Sequence, residues 1–275
     1  MLEGAKRTDA CIPVTSSVPL KLPREQEALF THILSALESE QVPYAIAGAF
    51  ALQQHTGICR FTKDLDLYAT ARDASKALSV LGDKGFECEI PDPVWLAKAH
   101  RDGYFIDLIT GMSNGTFTVD ASWIARAHPA VIVGMKTRVL APEELIVSKL
   151  FVTRRERFDG ADIAHIIYAL RGQLQWSRIL ELAKEHWEIV FWHLVLFRFV
   201  YPAQSAYVPV AVWEDLLSRF AKEVRSPDAR SRFRGSLIDP KTFAIDIDEW
   251  GLEDVMKEYQ EARMKIVASV EPRSA

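Results

Sequence analysis

Apolar residues recur at helical spacing over residues 25–40, where Leu29, Phe30, Ile33, Leu34 and Leu37 mark one face. That spacing predicts a helix with one buried side. The run Pro43, Tyr44, Ala45, Ile46, Ala47 is short, apolar and ends at Gly48, which reads as a buried strand entering a turn. Residues 49–55 then continue as the first turns of a helix, 65–69 read as a second strand, 73–81 as a helix and 86–90 as a third strand. Over 104–110 the chain alternates, with Phe105, Asp107 and Ile109 on one side and Ile106 and Leu108 on the other. This is the period of a strand, with a charged residue set among apolar ones. One more strand, or a hairpin, is predicted over 131–140.

From Pro142 the pattern changes. Proline followed by Glu143 and Glu144 marks a helix start, with acids beside the positive end of the helix dipole. Helical spacing then predicts helices over 142–154, 159–171, 176–186, 187–201 and 211–225. The fold class expected is α+β: a mixed α/β module over 24–140, a helical module over 141–268, and loose tails at 1–23 and 269–275. No internal repeat or low-complexity tract interrupts this order.

Composition narrows the setting. A net charge of −4 and a pI near 6.0 give no overall pull toward nucleic acid or an anionic membrane, so any such binding needs a local basic patch. The most apolar stretch, 187–201, is broken by Glu188, His193 and Arg198 and is shorter than the ~20 residues of a bilayer span; it reads as a buried helix. Cys11, Cys59 and Cys88 are widely spaced with no Cys-x-x-Cys pair, which suits buried thiols in a reducing compartment. With no basic-then-apolar start to the chain, a cytoplasmic protein is expected, without membrane contact.

The candidate chemistry centres on Thr62, Lys63, Asp64, Leu65, Asp66, Leu67, Tyr68. Residues two apart on a strand share a face, so Asp64 and Asp66 converge. Two carboxylates so close repel unless a metal or a proton intervenes, and Mg²⁺ is held by a few carboxylates plus phosphate oxygens. Asp107 is the natural third carboxylate, since an unpaired charge in mid-strand would be costly to bury. An Asp-x-Asp pair alone is a weak signal; a second pair, Asp246 and Asp248, lies in a polar C-terminal segment and reads as solvated surface. Context strengthens the first pair. Gly48 and Ala49, 16 residues upstream of Asp64, form a small-residue turn at a helix start, either a tight connection or a place where backbone N–H groups meet phosphate oxygens.

The run Ala47, Gly48, Ala49, Phe50, Ala51, Leu52, then His55 and Gly57, then Arg60, Thr62, Asp64 and Asp66, resembles the minimal nucleotidyltransferases of the DNA polymerase β-like superfamily. Within it the chain is most similar to the AbiEii-type toxin nucleotidyltransferases. The likeness continues through Asp107, Lys149, Arg154, Arg155, Arg157, Asp159 and Asp162 and covers roughly residues 40–170. It implies a nucleotidyltransferase-like mixed sheet flanked by helices, with a helical C-terminal module. It also implies that Asp64, Asp66 and Asp107 bind Mg²⁺ (or Mn²⁺), with Asp107 able to serve as base instead. Gly48, Ala49, Arg60, Thr62, Lys149 and Asp159 would serve the nucleotide, Lys149 touching phosphate and Asp159 orienting Lys149 or another group of the site. Arg60 has two readings, phosphate contact or ion pairing with a carboxylate, and Arg154, Arg155 and Arg157 read also as an exposed helix face. The family's turn is usually Gly-Gly or Gly-Ser, whereas here it is Gly48-Ala49, which lacks a hydroxyl to grip phosphate.

The resulting expectation is transfer of a nucleoside monophosphate from an NTP to an acceptor, with release of pyrophosphate. A degenerate nucleotide- or partner-binding protein on the same fold is the alternative, and a glycosyltransferase using Asp-x-Asp a more distant one. The acceptor stays open among RNA, protein and small molecule, and the toxin likeness brings in an antitoxin partner. Arg219, Lys222, Arg225, Arg230, Arg232, Arg234 and Lys241 form a basic stretch able to guide nucleic-acid phosphates or simply to be solvated. The histidines show no metal-ligand spacing.

Overall fold

The computed structural model describes residues 22–269. The expected tails, apart from Leu22, Pro23 and Ser269, lie outside the described residues, as does Cys11. Helix α1 (Arg24–Ser39) buries Leu29, Phe30, Ile33, Leu34 and Leu37, the face its spacing requires. Seven strands follow in sequence: β1 (Ala45–Ile46), β2 (Asp64–Tyr68), β3 (Glu87–Asp92), β4 (Leu96–Arg101), β5 (Tyr104–Ile109), β6 (His128–Ile132) and β7 (Met135–Val139). They form one mixed sheet in the order β3-β4-β5-β2-β1-β7-β6, with β2 parallel to β5 and antiparallel to β1. Helices α2 (Gly48–Thr56), α3 (Ala71–Asp83) and α4 (Ala121–Ala125) interleave with these strands.

Strand β4 was not expected from the pattern. Its buried side is carried by Ala97 and Ala99 alone, and alanine is a weak strand signal. The connection to β5 is nevertheless written in the sequence. Asp102 and Gly103 both take positive φ, +56° and +82°, as a two-residue Asp-Gly hairpin turn requires. Val133 and Gly134 do the same between β6 and β7, so the hairpin reading of 131–140 holds, with its first strand starting earlier.

The second half is helical: α5 (Pro142–Val147), α6 (Gly160–Ala169), α7 (Trp176–Ala183), α8 (Trp187–Val200), α9 (Val210–Arg225), α10 (Gly235–Ile238), α11 (Ala244–Asp248) and α12 (Val255–Ala268). The helix expected over 142–154 stops at Val147. The chain then doubles back through a small hairpin, β8 (Thr153–Arg154) and β9 (Arg157–Phe158), closed by Asp159 N–H bonding the Val152 carbonyl at 2.8 Å. Arg154, Arg155 and Arg157 therefore lie on a hairpin and not on a helix face. Two further expectations are corrected by burial. Cys59 and Cys88 are exposed, the latter on the sheet's edge strand. Helix α8 buries only one side, leaving Trp192, Val195, Phe199 and Val200 at the surface.

One continuous apolar core runs from α1 through the sheet into α8. A buried ion cluster fastens α4, α5 and α7 beside it. Glu144 is fully buried and accepts from Arg126 Nε at 2.9 Å and Arg178 Nε at 3.0 Å. Glu143 accepts from Arg126 Nη2 at 3.2 Å and from the Gln175 backbone N–H at 2.7 Å. Removing one member of such a cluster strands the opposite charge in a desolvated place. Glu144→Gln is expected to destabilise the fold by about 2–4 kcal/mol, seen as a lower urea midpoint at an unchanged slope.

Candidate active site

The parallel pairing of β2 with β5 sets Asp66 opposite Asp107 and Asp64 opposite Phe105. Since alternate residues share a face, the three aspartates project together, while Leu65, Leu67, Ile106 and Leu108 fill the fully buried opposite side. Ligand oxygens of Asp64, Asp66 and Asp107 lie within 4.8 Å of one another. Among the described residues no other group of histidine, cysteine or carboxylate side chains converges in this way. Asp246 and Asp248 sit apart on α11.

Crowding shows in the acidities. Burial first, and then the neighbouring Asp64 and Asp107 charges, push Asp66 up from an ordinary 3.8 to about 7. Burial also raises Asp107, despite the nearby ammonium of Lys98. Lys98 stands opposite Asp107 across the β4–β5 pairing, with Nζ 2.6 Å from Oδ1 and 4.4 Å from the centre of the Phe105 ring. One oxygen of Asp107 is thus held from the side.

The other two aspartates are positioned by neighbours as well. Thr62 Oγ1 donates to the Asp64 carboxylate, and the Thr62 carbonyl accepts from Gln26 Nε2 of α1 at 3.0 Å. Gly48 opens α2 at a φ of +53°, and a Cβ at this position would overlap the Asp66 carboxylate oxygen. Glycine is required here on both counts: the left-handed backbone and the approach of the acid. Ala49 follows in the first turn of α2, whose N-terminus has no side-chain cap.

Lys149 and Asp159 meet within a larger charged group. Lys149 Nζ lies 2.8 Å from Asp159 Oδ2 and 2.9 Å from Asp162 Oδ2, with its side chain only 8% exposed. Arg60 takes the other Asp162 oxygen at 2.6 Å, the ion-pair alternative of its two readings. Arg157 reaches Asp159 through Nε at 3.2 Å and Nη2 at 3.3 Å while remaining 69% exposed. Burial would raise Asp159, but Lys149 and Arg157 hold it below the usual carboxylate range. Lys149 and Arg157 also pull against the rise of Asp66.

Lys98, Arg157 and Asp162 join the site without a role assigned to them from the pattern. No strand is predicted over 96–101, although the Asp102-Gly103 turn points to one, and Arg157 and Asp162 enter only through the family likeness, Arg157 with an exposed helix face as its other reading. The basic stretch is largely spent on local acids: Arg219 on Asp215 at 2.8 Å, Arg230 on Asp228 at 3.3 Å, Arg232 on Glu258 at 2.6 Å, and Arg234 on Glu188.

Among solved structures, the chain is similar to the antibiotic-resistance factor ANT(2'')-Ia, at 17% identity and a TM-score of 0.43, over 68% of this chain and 98% of that one. It is similar to the lincosamide antibiotic adenylyltransferase LnuA at 16% identity and a TM-score of 0.38, over 53% of this chain and 96% of that one. A third neighbour is an antigenic nucleotidyltransferase-like protein from Paracoccidioides brasiliensis, at 18% identity and a TM-score of 0.40, over 68% and 95% of the two chains. No curated protein matches the chain. A sequence profile matches residues 24–196, well over half of the chain, and on that match the protein belongs to the family described as "Uncharacterised nucleotidyltransferase".

Proposed function

We propose that this protein transfers a nucleoside monophosphate from an NTP to an acceptor, releasing pyrophosphate, with Mg²⁺ (or Mn²⁺) as cofactor. The observation that carries this reading is the convergence of Asp64, Asp66 and Asp107 within 4.8 Å. Such a cluster is unfavourable without a partner, and its donor set is all carboxylate oxygen, the chemistry that suits a hard divalent cation. Asp66, pushed up by burial and by the Asp64 and Asp107 charges, is a carboxylate that a positive counter-charge would favour. A cation held there supplies charge neutralisation for the triphosphate at the point of attack.

The chain's own side chains then have separable tasks. Thr62 fixes the direction of Asp64, and Lys98 holds one Asp107 oxygen, leaving the other for the cation or for the proton of an acceptor hydroxyl. The open first turn of α2 at Gly48 and Ala49 offers backbone N–H groups and the helix dipole to phosphate. Lys149 is buried between two carboxylates, so its task is positioning: it holds Asp159, which in turn holds Arg157. The exposed Arg157 is the side chain fitted to meet a phosphate, since a guanidinium can bind Asp159 on one edge and an anion on another. In the transfer itself, the acceptor oxygen bonds to the α-phosphorus as the bond from that phosphorus to the pyrophosphate oxygen breaks. The work is positioning and charge stabilisation. The AbiEii-type likeness, and any antitoxin partner, stand within this proposal.

Incubation with α-labelled NTPs, Mg²⁺ and pools of RNA, protein and small molecules is expected to label one class of acceptor. The Asp64→Asn/Asp66→Asn variant is expected to lose at least ~100-fold of that labelling. Absence of label together with absence of Mg²⁺-dependent NTP binding by calorimetry would reject the enzyme reading in favour of a non-catalytic member of the family. Arg157→Ala is expected to raise KM for NTP about tenfold with the fold intact. Lys149→Ala should instead lower Tm, because it leaves Asp159 and Asp162 buried beside each other.

A pH dependence follows from Asp66. Its folded-state pKa of about 7 stands above the ordinary 3.8, so the native state binds more protons than the unfolded chain between those values. The Asp66 contribution to the stability of the metal-free protein therefore falls as pH rises from about 4 to about 7, by an amount of the order of a few kcal/mol. It is read as the difference between thermal melts of the wild type and of Asp66→Asn, which should move in favour of the variant across this range, and Mg²⁺ should restore most of the wild-type loss at pH 8. A difference that does not change with pH would contradict the assignment.

A further inference from the structure

The small hairpin of β8 and β9 sets two arginines against each other. Arg154 pairs with Arg157 across a turn made of Arg155 and Glu156. Residues directly opposite in an antiparallel pair stand on the same face with Cβ atoms about 5 Å apart, and like charges so placed are destabilising. Both side chains are exposed. Among the described residues no carboxylate lies within ion-pair distance of Arg154, whose guanidinium has the neutral Ser113 hydroxyl at 3.4 Å. Arg157 is engaged along one edge. Its Nε and Nη2 meet Asp159 at 3.2 and 3.3 Å, and a guanidinium carries further N–H donors beyond that edge.

The acids nearby have no charge to spare. Lys149, Arg60 and Arg157 already share Asp159 and Asp162, three cations on two carboxylates. The turn is pinned through its backbone, because Asp239 accepts the Arg155 N–H along with those of Lys241 and Thr242. Arg154 and Arg157 therefore project from a fixed support. The facing group has the opposite sign: Asp64, Asp66 and Asp107 converge, and the charges of Asp66 and Asp64 act on Arg157. The two groups are close enough to serve one ligand, with a divalent cation at the aspartates and the anionic tail of a polyphosphate at the arginines.

We infer that Arg154 and Arg157 form a two-guanidinium clamp for a polyphosphate, taking the two terminal phosphates of the NTP. The identity of that ligand rests on the transfer reading; what is added is Arg154, a cation that no acid of the described chain answers. Each guanidinium can meet phosphate oxygens through two parallel N–H bonds. As the α-phosphorus passes to the acceptor oxygen, the bonding electron pair stays on the departing pyrophosphate. The added charge falls to the two cations.

The test is calorimetric titration of the full chain with inorganic pyrophosphate, a probe that carries no base. The wild type is expected to bind it, and Arg154→Gln to weaken that binding about tenfold. Arg155→Gln removes the same charge from the neighbouring turn position and is expected to cost less than about twofold. Thermal melts give a second reading. In phosphate-free buffer Arg154→Gln should raise Tm by about one degree, because a like-charge opposition is removed. Pyrophosphate should then raise Tm of the wild type more than that of the variant. A wild type that ignores pyrophosphate, equal losses in the two variants, or a lower Tm for anion-free Arg154→Gln would each overturn the clamp. So would a loss confined to a single-stranded RNA oligonucleotide with pyrophosphate unaffected, which would give Arg154 to an acceptor instead. Binding of pyrophosphate through Arg154, without any Mg²⁺-dependent NTP binding, keeps the clamp and removes the transfer reading. NTP binding that survives Arg154→Gln unchanged keeps that reading and removes the clamp.

Discussion

The in-register parallel pairing of β2 with β5 is the constraint from which the rest of the site follows. By placing Asp66 beside Asp107 and leaving Asp64 two residues away on the same face, it forces three carboxylates into one cleft. Their mutual repulsion and partial desolvation would disfavour the fold if left unanswered. The surrounding architecture answers piecemeal. Lys98 comes across from β4 to Asp107, Thr62 turns to Asp64, and position 48 gives up its side chain so that Asp66 has room. What is left is the crowding of Asp66 by burial and by the Asp64 and Asp107 charges, which a cation held by the three converging carboxylates would relieve.

A second group of charges joins the helical half of the chain to this cleft. Lys149, Asp159, Asp162, Arg60 and Arg157 form a linked set spanning the loop before β2, the end of α5, the small hairpin and α6. Ion pairs buried in this way add little net stability, because desolvation consumes most of the attraction. Their value is geometric. They fix where the hairpin lies and hence where Arg157, the more exposed of the set's two guanidinium groups, stands relative to the aspartates. The cluster of Glu143 and Glu144 with Arg126 and Arg178 fixes α5 in the same way from its other end. Two sets of paired charges thus bracket α5, the element that carries the chain from the sheet into the helices.

Helix α9 lies past the residues matched by the family profile, and its paired charges, Arg219 with Asp215 among them, are local to it and separate from both of these groups.

Local pattern alone determined much of this protein. The buried face of α1, the strand around Asp107, the Asp64 and Asp66 pair, and the glycine turn before α2 are all legible because each depends on period or on one residue's backbone freedom. The resemblance of that run to a nucleotidyltransferase added the class, and the family match supports it. Tertiary structure alone decided the remainder. Strand β4 is held by its hairpin and by cross-strand pairing rather than by its two alanines, so Lys98 became visible only once β5 lay beside it. Helical spacing could not show α5 ending at Val147, because the chain turns back to bring Asp159 and Asp162 onto Lys149. Nor could the apolarity of α8 say which of its sides is covered. Period reports that a face is apolar; only the packing of distant segments determines what lies against it.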